Sequence, residues 1–422
     1  MQMADAVNAG IQGRRATLLF VSGRFLFPTN EGGKIRTANI LRQMKGGAFE
    51  IVLASPAPAD AAKFADDTNA ICDRFLSWPE QPTTQLSRLL ALPLSIPVSV
   101  ATDRSQAGLA AIAAELAGRN GGGKPDIVVV DFPHMDVLMP RRIDAPSVMF
   151  THNVEAEIFE RHARVATGLW RLVWRNQVGK MQRFEADVLR RYDSVIAVST
   201  RDAVALNKRY ALKVVEPIET GVDLEFFTYS APSTAPEFGP DGGTIVFTGV
   251  MDSPANIDGI DFLMNEIWPI VARARPKARA LIVGRNPQKS LYAAVQERGL
   301  PWTITGSVDD IRTYVGQGHV SVIPLRVGSG TRIKAFEAMA MGRPVVATRV
   351  GIEGLDIDPG THFLAADSGP DFAQAILRLL DDAALRETIG QAARARLEER
   401  FSWAHIARQF EAICARALAA RG

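Results

Sequence analysis

Residues 324–344 read PLRVGSGTRIKAFEAMAMGRP: an apolar strand ends, a glycine-rich turn follows, and a helical pattern opens. That order of parts makes an anion site. Gly328 and Gly330 let a ligand approach the backbone closely, and the free amides of a helix start point outward with the favourable end of the helix dipole. Arg326, Arg332 and Lys334 bring three cations to the same turn, enough to oppose the charge of a diphosphate. Glu337 lies one helical turn past Lys334. A carboxylate there is placed to accept from two neighbouring hydroxyls, and a ribose carries such a pair. A glycine turn alone is more often structural than not. Turn, cations and carboxylate coinciding at one strand end argue for ligand binding.

Outward from this stretch the chain keeps alternating strand and helix. Apolar runs at 244–248, 279–283, 303–304, 320–323 and 344–347 are separated by helical patterns, including a long one at 371–399. Phe401 and Trp403 precede a last amphipathic helix, 404–419. Residues 229–243 hold three prolines and three glycines with few large apolar side chains, the composition of a linker. Before it, a strand at 17–22 leads through a loop with Gly32 and Gly33 to a helix ending near Met44, and buried runs recur at 51–54, 127–131, 147–151 and 194–199. The fold class expected is α/β, two doubly wound parallel sheets. The domains expected are 15–228, a linker at 229–243, 244–400, and a final helix at 401–422 that packs back on the first domain. Open sheets bind ligands at the carboxyl ends of their strands, so an active site in a cleft between the domains is expected.

Composition narrows the function. The 422 residues exceed the roughly 250 to 300 at which single cores stop growing, which favours two domains. A formal charge of +2 is too small to make nucleic acid the main partner. Cys72 and Cys414 match neither a disulfide framework nor a metal spacing, which suits a reducing cytoplasm. The start, through Arg14 and Arg15, does not read as a secretory signal. No segment approaches the roughly 20 apolar residues of a membrane span, the best being 89–101, broken by Pro93 and Pro97. Residues 161–191 carry eight lysines and arginines against two acids, with Trp170 and Trp174 one turn apart. That reads as a solvated helix face or as a contact for anionic lipid at the inner membrane surface.

Taken together, the sequence resembles glycosyltransferase family 4, over nearly its whole length. The resemblance rests on GSGTRIKAFEAMAMGRPVVAT, on FTGVMDSPANIDGIDFL at the start of the second domain, on ITGSV at 304–308 and on PTNEGGKIRT near the amino end. It implies the GT-B fold of two Rossmann-like domains, and it points to the GSGTR branch, bacterial sugar transferases of polysaccharide synthesis. It implies a nucleoside-diphosphate sugar as donor, a glycan or lipid-linked acceptor, and transfer with retention. Glu337 then matches the ribose-binding glutamate. The family's partner glutamate, eight positions earlier, is Ser329 here, so Ser329 and Thr331 are left to hold the donor sugar. Gly330, Arg332 and Lys334 match the phosphate side. Gly249, Asn256, Gly284, Gly306, Ser307 and Val308 match loops around the nucleotide. Where relatives continue the first of these loops with arginine, Gly249 is followed by Val250, and the loop offers Asp252 and Asn256. Glu353 and Gly354 match a loop flanking the donor.

In the first domain Gly32 and Gly33 match the glycine loop that nears the donor phosphate or the acceptor, and Lys34 and Arg36 are placed to serve either. His152, at a strand end, matches a histidine near the donor sugar, and Asp131 ends another strand at the same edge. No DxD pair or His/Cys cluster stands where a metal is needed, so no metal or cofactor is expected beyond the donor substrate. Retaining glycosidases work with two carboxylates; with no such pair in view, the departing diphosphate is expected to take the acceptor proton. A nucleotide-sugar epimerase on the same fold and a non-catalytic partner protein are the rival readings. A dinucleotide oxidoreductase is disfavoured, because residues 22–33 lack the GxGxxG spacing.

Overall fold

The computed structural model describes residues 14–29, 31–230, 242–327 and 333–421. It divides into two compact units, one made of residues up to Thr220 together with Trp403 onward, the other of Gly221–Ser402. The division thus falls nearer the amino end than the expected linker, most of which lies outside the described residues.

The first unit carries seven parallel strands: β1 (Ala16–Ser22), β2 (Phe49–Ala57), β3 (Arg74–Pro79), β4 (Ile127–Asp131), β5 (Ser147–Phe150), β6 (Ser194–Ala197) and β7 (Val215–Pro217), in the order β3-β2-β1-β4-β5-β6-β7. Leu18 of β1 pairs with Ile51 and with Ile127, so the centre of the sheet is apolar on both faces. Helices must cover both, which is why these strands read as continuous apolar runs. The helices used below are α1 (Gly32–Met44), α2 (Gln85–Ala91), α3 (Val98–Thr102), α4 (Gln106–Leu116), α5 (Glu155–Val165), α6 (Gly168–Leu189) and α7 (Thr200–Tyr210). Buried Glu185 of α6 accepts the backbone N–H groups of Glu155 and Ala156 at 2.8 and 3.1 Å, closing the start of α5, and the Tyr210 hydroxyl at 2.6 Å.

The second unit is a six-stranded parallel sheet of β8 (Gly242–Thr248), β9 (Lys277–Val283), β10 (Trp302–Gly306), β11 (Val320–Ile323), β12 (Val345–Ala347) and β13 (Leu364–Ala365), ordered β10-β9-β8-β11-β12-β13. Its helices include α8 (Pro254–Phe262), α9 (Ile333–Ala340), α10 (Gly369–Asp381) and α11 (Ala383–Arg400). The helical pattern expected at 371–399 is therefore two helices. Asp382 leaves the helical region and its side chain accepts the Leu385 N–H at 2.9 Å, starting α11 afresh. The last helix, α12 (Trp403–Ala419), belongs to the first unit, where Phe410 packs on Phe20 and Phe150 with ring centroids 6.4 and 5.2 Å apart. Its buried positions, Trp403, Ile406, Ala407, Phe410, Ile413, Cys414 and Ala417, follow helical spacing. Cys72 and Cys414 are buried free thiols, and burial pushes both up in pKa, away from reactivity.

In both sheets the strand order reverses beside the first strand, between β1 and β4 and between β8 and β11. Ligands of such sheets bind where the carboxyl ends part at this point.

Candidate functional site

At the reversal point of the first sheet, Ser22 ends β1 and Asp131 ends β4, paired side by side. The Asp131 carboxylate accepts Ser22 Oγ and Thr37 Oγ1 on one oxygen, both at 3.2 Å, and meets His152 Nε2 at 2.6 Å on the other. A carboxylate only accepts, so Nε2 carries a proton, and in the neutral imidazole Nδ1 presents its lone pair. Nδ1 is buried and has no hydrogen-bond partner. Phe132, held at φ 73°, lays its ring over the imidazole at 4.1 Å. A non-glycine residue in that region costs strain, and here the turn fixes the face of His152.

Gly33, in the first turn of α1, stands before that nitrogen. A Cβ at Gly33 would lie 3.2 Å from the Phe132 ring and 3.6 Å from His152 Nδ1, whereas one at Gly32 would meet nothing within 4 Å. Neither glycine has positive φ, so the pair separates space from backbone conformation. Gly33→Ala is expected to lower the turnover that depends on this edge about tenfold by crowding Nδ1, with stability within about 1 kcal/mol of wild type. Gly32→Ala is the matched control, and steady-state rates with urea melts of both variants check this. Arg36, also placed at this edge by the sequence, is buried, donates to Thr220 Oγ1, and is lowered by burial to about 10. It remains a cation at neutral pH inside the unit.

At the reversal point of the second sheet, Gly249 directly follows β8 and Gly284 directly follows β9. A Cβ at Gly284 would sit 1.7 Å from the Gly249 carbonyl oxygen, and its φ is 149°, so only glycine lets the two strand ends approach. Lys334, near the start of α9, donates to the Thr248 carbonyl at 3.2 Å and to Asn256 Oδ1 at 2.7 Å, with Nζ 4.6 Å from the Phe247 ring centroid. Asn256 is itself fixed by donating to the Val250 carbonyl at 2.9 Å. One turn along α9, Glu337 is half-buried, and no described residue donates to its carboxylate. Burial pushes its pKa up to about 7, against a smaller pull downward from Lys334. Gly249, Asn256, Gly284 and Lys334 thus meet at the strand ends, with Glu337 one helical turn from Lys334. Gly306, at φ 71°, and the following Ser307 and Val308 sit at the end of β10, two strands or about 10 Å away.

Arg326, expected on the phosphate side, makes ion pairs within the second unit. Its guanidinium pairs with both oxygens of Asp258, at 2.8 and 3.2 Å, and with Glu266 at 3.0 Å, lying over the Phe262 ring. Gly328, Ser329, Gly330, Thr331 and Arg332 lie outside the described residues. Asp252 accepts from Asn286 at 3.0 Å, and Glu353 is exposed beside Gly354, whose φ is 84°. Sequence reading missed Phe132, and it missed Asn256 as the residue that aims Lys334. A DF pair at a strand end is a weak signal; the 78 positions between Asn256 and Lys334 leave none.

Residues 242–382 match the family described as glycosyl transferases group 1. The chain is 27% identical over 201 residues to the GDP-mannose-dependent monoacylated alpha-(1-6)-phosphatidylinositol monomannoside mannosyltransferase of Corynebacterium glutamicum, covering 44% of this chain and 52% of that protein. The chain thus spans about half the length of this curated relative. Sucrose-phosphate synthase from Thermosynechococcus elongatus has a similar structure, with a TM-score of 0.67 and 20% identity over 96% of this chain and 100% of that one. An Anabaena protein crystallised with UDP and glucose has a TM-score of 0.63 and 16% identity, over 94% of this chain and 99% of its own. At these identities the structural likeness concerns the fold. The two doubly wound sheets make the GT-B fold, and residues 242–382, the greater part of the second unit, match the model of glycosyl transferases group 1.

Proposed function

We propose that this protein is a retaining glycosyltransferase that moves a sugar from a nucleoside-diphosphate donor to a glycan or lipid-linked acceptor, in surface polysaccharide or glycoconjugate synthesis. The observation that carries the reading is Glu337, a half-buried carboxylate with no donor among the described residues, one turn from a lysine held at the end of β8. A half-buried carboxylate with no donor of its own is free to accept from a ligand, and the two hydroxyls of a ribose are such donors. Lys334 meets the diphosphate, and Gly330, Thr331, Arg332 and Ser329, outside the described residues, are assigned to the phosphates and the sugar on their sequence alone. Gly249 and Gly284 leave the strand ends bare for the nucleoside.

In the transfer step the bond between the anomeric carbon and the diphosphate oxygen breaks. A bond from the acceptor oxygen forms on the same face, and the acceptor proton passes to the leaving diphosphate. The charge that develops on the diphosphate is met by fixed cations and amides, the arrangement that contributes most where water is excluded. His152 Nδ1, held as an acceptor by Asp131, takes a hydrogen bond from a sugar hydroxyl and orients it. The exposed cations and Trp170 at the start of α6 favour work at the inner face of a membrane, as a peripheral and otherwise cytoplasmic protein. No helix among the described residues is long and apolar enough to cross one.

Thermal unfolding with a panel of nucleoside diphosphates and their sugars tests the reading. A donor present at 100 times its dissociation constant adds about 2.7 kcal/mol of stability, so one base is expected to raise Tm by several degrees. No shift with any nucleotide at millimolar concentration sinks the proposal in favour of a non-catalytic GT-B partner.

A further inference from the structure

A sugar nucleotide carries a negative charge on each phosphate of its diphosphate, and Lys334, held at the end of β8, supplies a single positive charge. Val250, the residue after Gly249, is uncharged. Arg326, past the end of β11, pairs with Asp258 and Glu266. Directly past the ends of β8 and β9 the described residues hold one further cation, Arg285, which follows Gly284. Arg285 is exposed, and no described residue makes an ion pair or a side-chain hydrogen bond with its guanidinium.

An exposed arginine is most often a solvated surface charge. Three features set this one apart. Its backbone is fixed, because the ladder of β8 and β9 runs on past both strands: the Gly249 N–H donates to the Val283 carbonyl at 3.0 Å and the Met251 N–H to the Arg285 carbonyl at 2.9 Å. Paired strands lie about 4.8 Å apart, so Arg285 stands one strand spacing from Val250 and Met251. The acid of the facing loop is occupied. Asp252 accepts the Asn286 side-chain amide at 3.0 Å and makes no ion pair with Arg285, and Asn286 reaches it from φ 59°, a region that asparagine tolerates. The place in the sheet is the third feature. β9 lies between β8, where Lys334 is held, and β10, which leads into Ser307 and Val308. A nucleotide that reaches from one to the other passes the end of β9, where Gly249 and Gly284 carry no side chains.

We infer that Arg285 is a binding residue for the diphosphate of the donor and supplies the positive charge that Lys334 alone leaves wanting. A guanidinium presents a planar fork of donors that matches two phosphate oxygens, and its charge stays on at any pH the protein meets. The chain thus draws phosphate charge from the loop after β9, where the loop after β8 has none to offer. This deepens the proposed transfer and rests on its reading of the donor.

The test is isothermal titration of the full chain with GDP, UDP, ADP and dTDP, followed by variants with whichever binds most tightly. Arg285→Ala is expected to raise the dissociation constant at least tenfold with an unchanged melting curve, since the side chain is exposed. Arg285→Lys keeps the charge and loses the fork, and is expected to stay within about threefold of wild type. The control is Lys289→Ala, an exposed cation at the start of the helix Lys289–Glu297, expected to stay within about twofold. Raising salt from about 50 to about 500 mM should weaken wild type more than Arg285→Ala, because the contact is ionic. Arg285→Ala binding within twofold of wild type returns Arg285 to a solvated charge and overturns the inference. An equal loss in Lys289→Ala overturns it too, because the effect is then that of the general field. So does an Arg285→Lys variant as weak as Arg285→Ala with the salt dependence of wild type, because the contact is then not ionic. The two readings fail differently. If wild type binds a nucleoside diphosphate and Arg285→Ala binds it as well, only this inference falls; if wild type binds none of the four, the donor reading falls and takes this one with it.

Discussion

Glu337→Ala is expected to raise the dissociation constant of the preferred nucleoside diphosphate roughly 100-fold while leaving the fold intact. A hydrogen bond to a charged group contributes about 1.5–3 kcal/mol, and the ribose would lose two with the carboxylate; the low end, about 3 kcal/mol, corresponds to roughly 100-fold or slightly more. The pH dependence makes the expectation specific. Burial holds the free carboxyl at about 7, and the ribose hydroxyls want the ionised form, so donor affinity should climb as pH rises through 7. Between pH 6 and 8 the ionised share goes from roughly a tenth to roughly nine-tenths, about a tenfold gain in affinity. Glu337→Gln should bind weakly and without this slope. Stability runs the other way in the empty protein. A folded pKa raised above the unfolded value means that the folded chain holds the proton more tightly, so this group's contribution is lost as pH rises from the ordinary carboxyl range toward 7. Isothermal titration at several pH values checks the affinity; a wild-type affinity flat across pH 6 to 8 removes Glu337 from the ribose.

Most of this architecture could be read from residue pattern because its central strands are buried on both faces. Runs such as 127–131 and 320–323 have no polar alternation to confuse them with anything but a buried helix, and their length excludes that. The strands that escaped are β3, β7 and β13, all at sheet edges. β7 and β13 are three and two residues long, and β3, reading RFLSWP, mixes a charge and a proline into its run. Edge strands are half wet, and their pairing is decided by the neighbour rather than by their own composition. The same division applies to the site. Glu337 and Lys334 were legible because helical spacing puts them on one face of one short segment. The ion pairs of Arg326 were not legible for the opposite reason: its partners, Asp258 and Glu266, lie 68 and 60 positions away. Its charge could be counted in the sequence and its partner could not.

His152→Ala is expected to reduce kcat about 10³-fold while the affinity for the nucleoside diphosphate stays within about twofold. The first unit holds this residue more tightly than packing alone requires. Three donors converge on Asp131, one of them the imidazole, and Phe132 is held at positive φ to cover the ring. The single atom left without a partner is Nδ1, aimed at the space that Gly33 keeps open. Removing one preorganised hydrogen-bonding group from a site of developing charge typically costs about 10² to 10³ in kcat. The alanine variant also loses a buried ring, so a fall in Tm would accompany the loss and could be mistaken for its cause. Asp131→Asn answers that, because it keeps the shape of the pair and removes only the charge that fixes the proton on Nε2. It should lower kcat about 100-fold, with the KM for donor and the melting curve nearly unchanged, as expected if the tautomer of His152 is what the site depends on. If Asp131→Asn transfers sugar at the wild-type rate while His152→Ala fails only in proportion to its lost stability, the histidine is a packing residue, and the orienting acceptor must be sought on the glycine turn of α1.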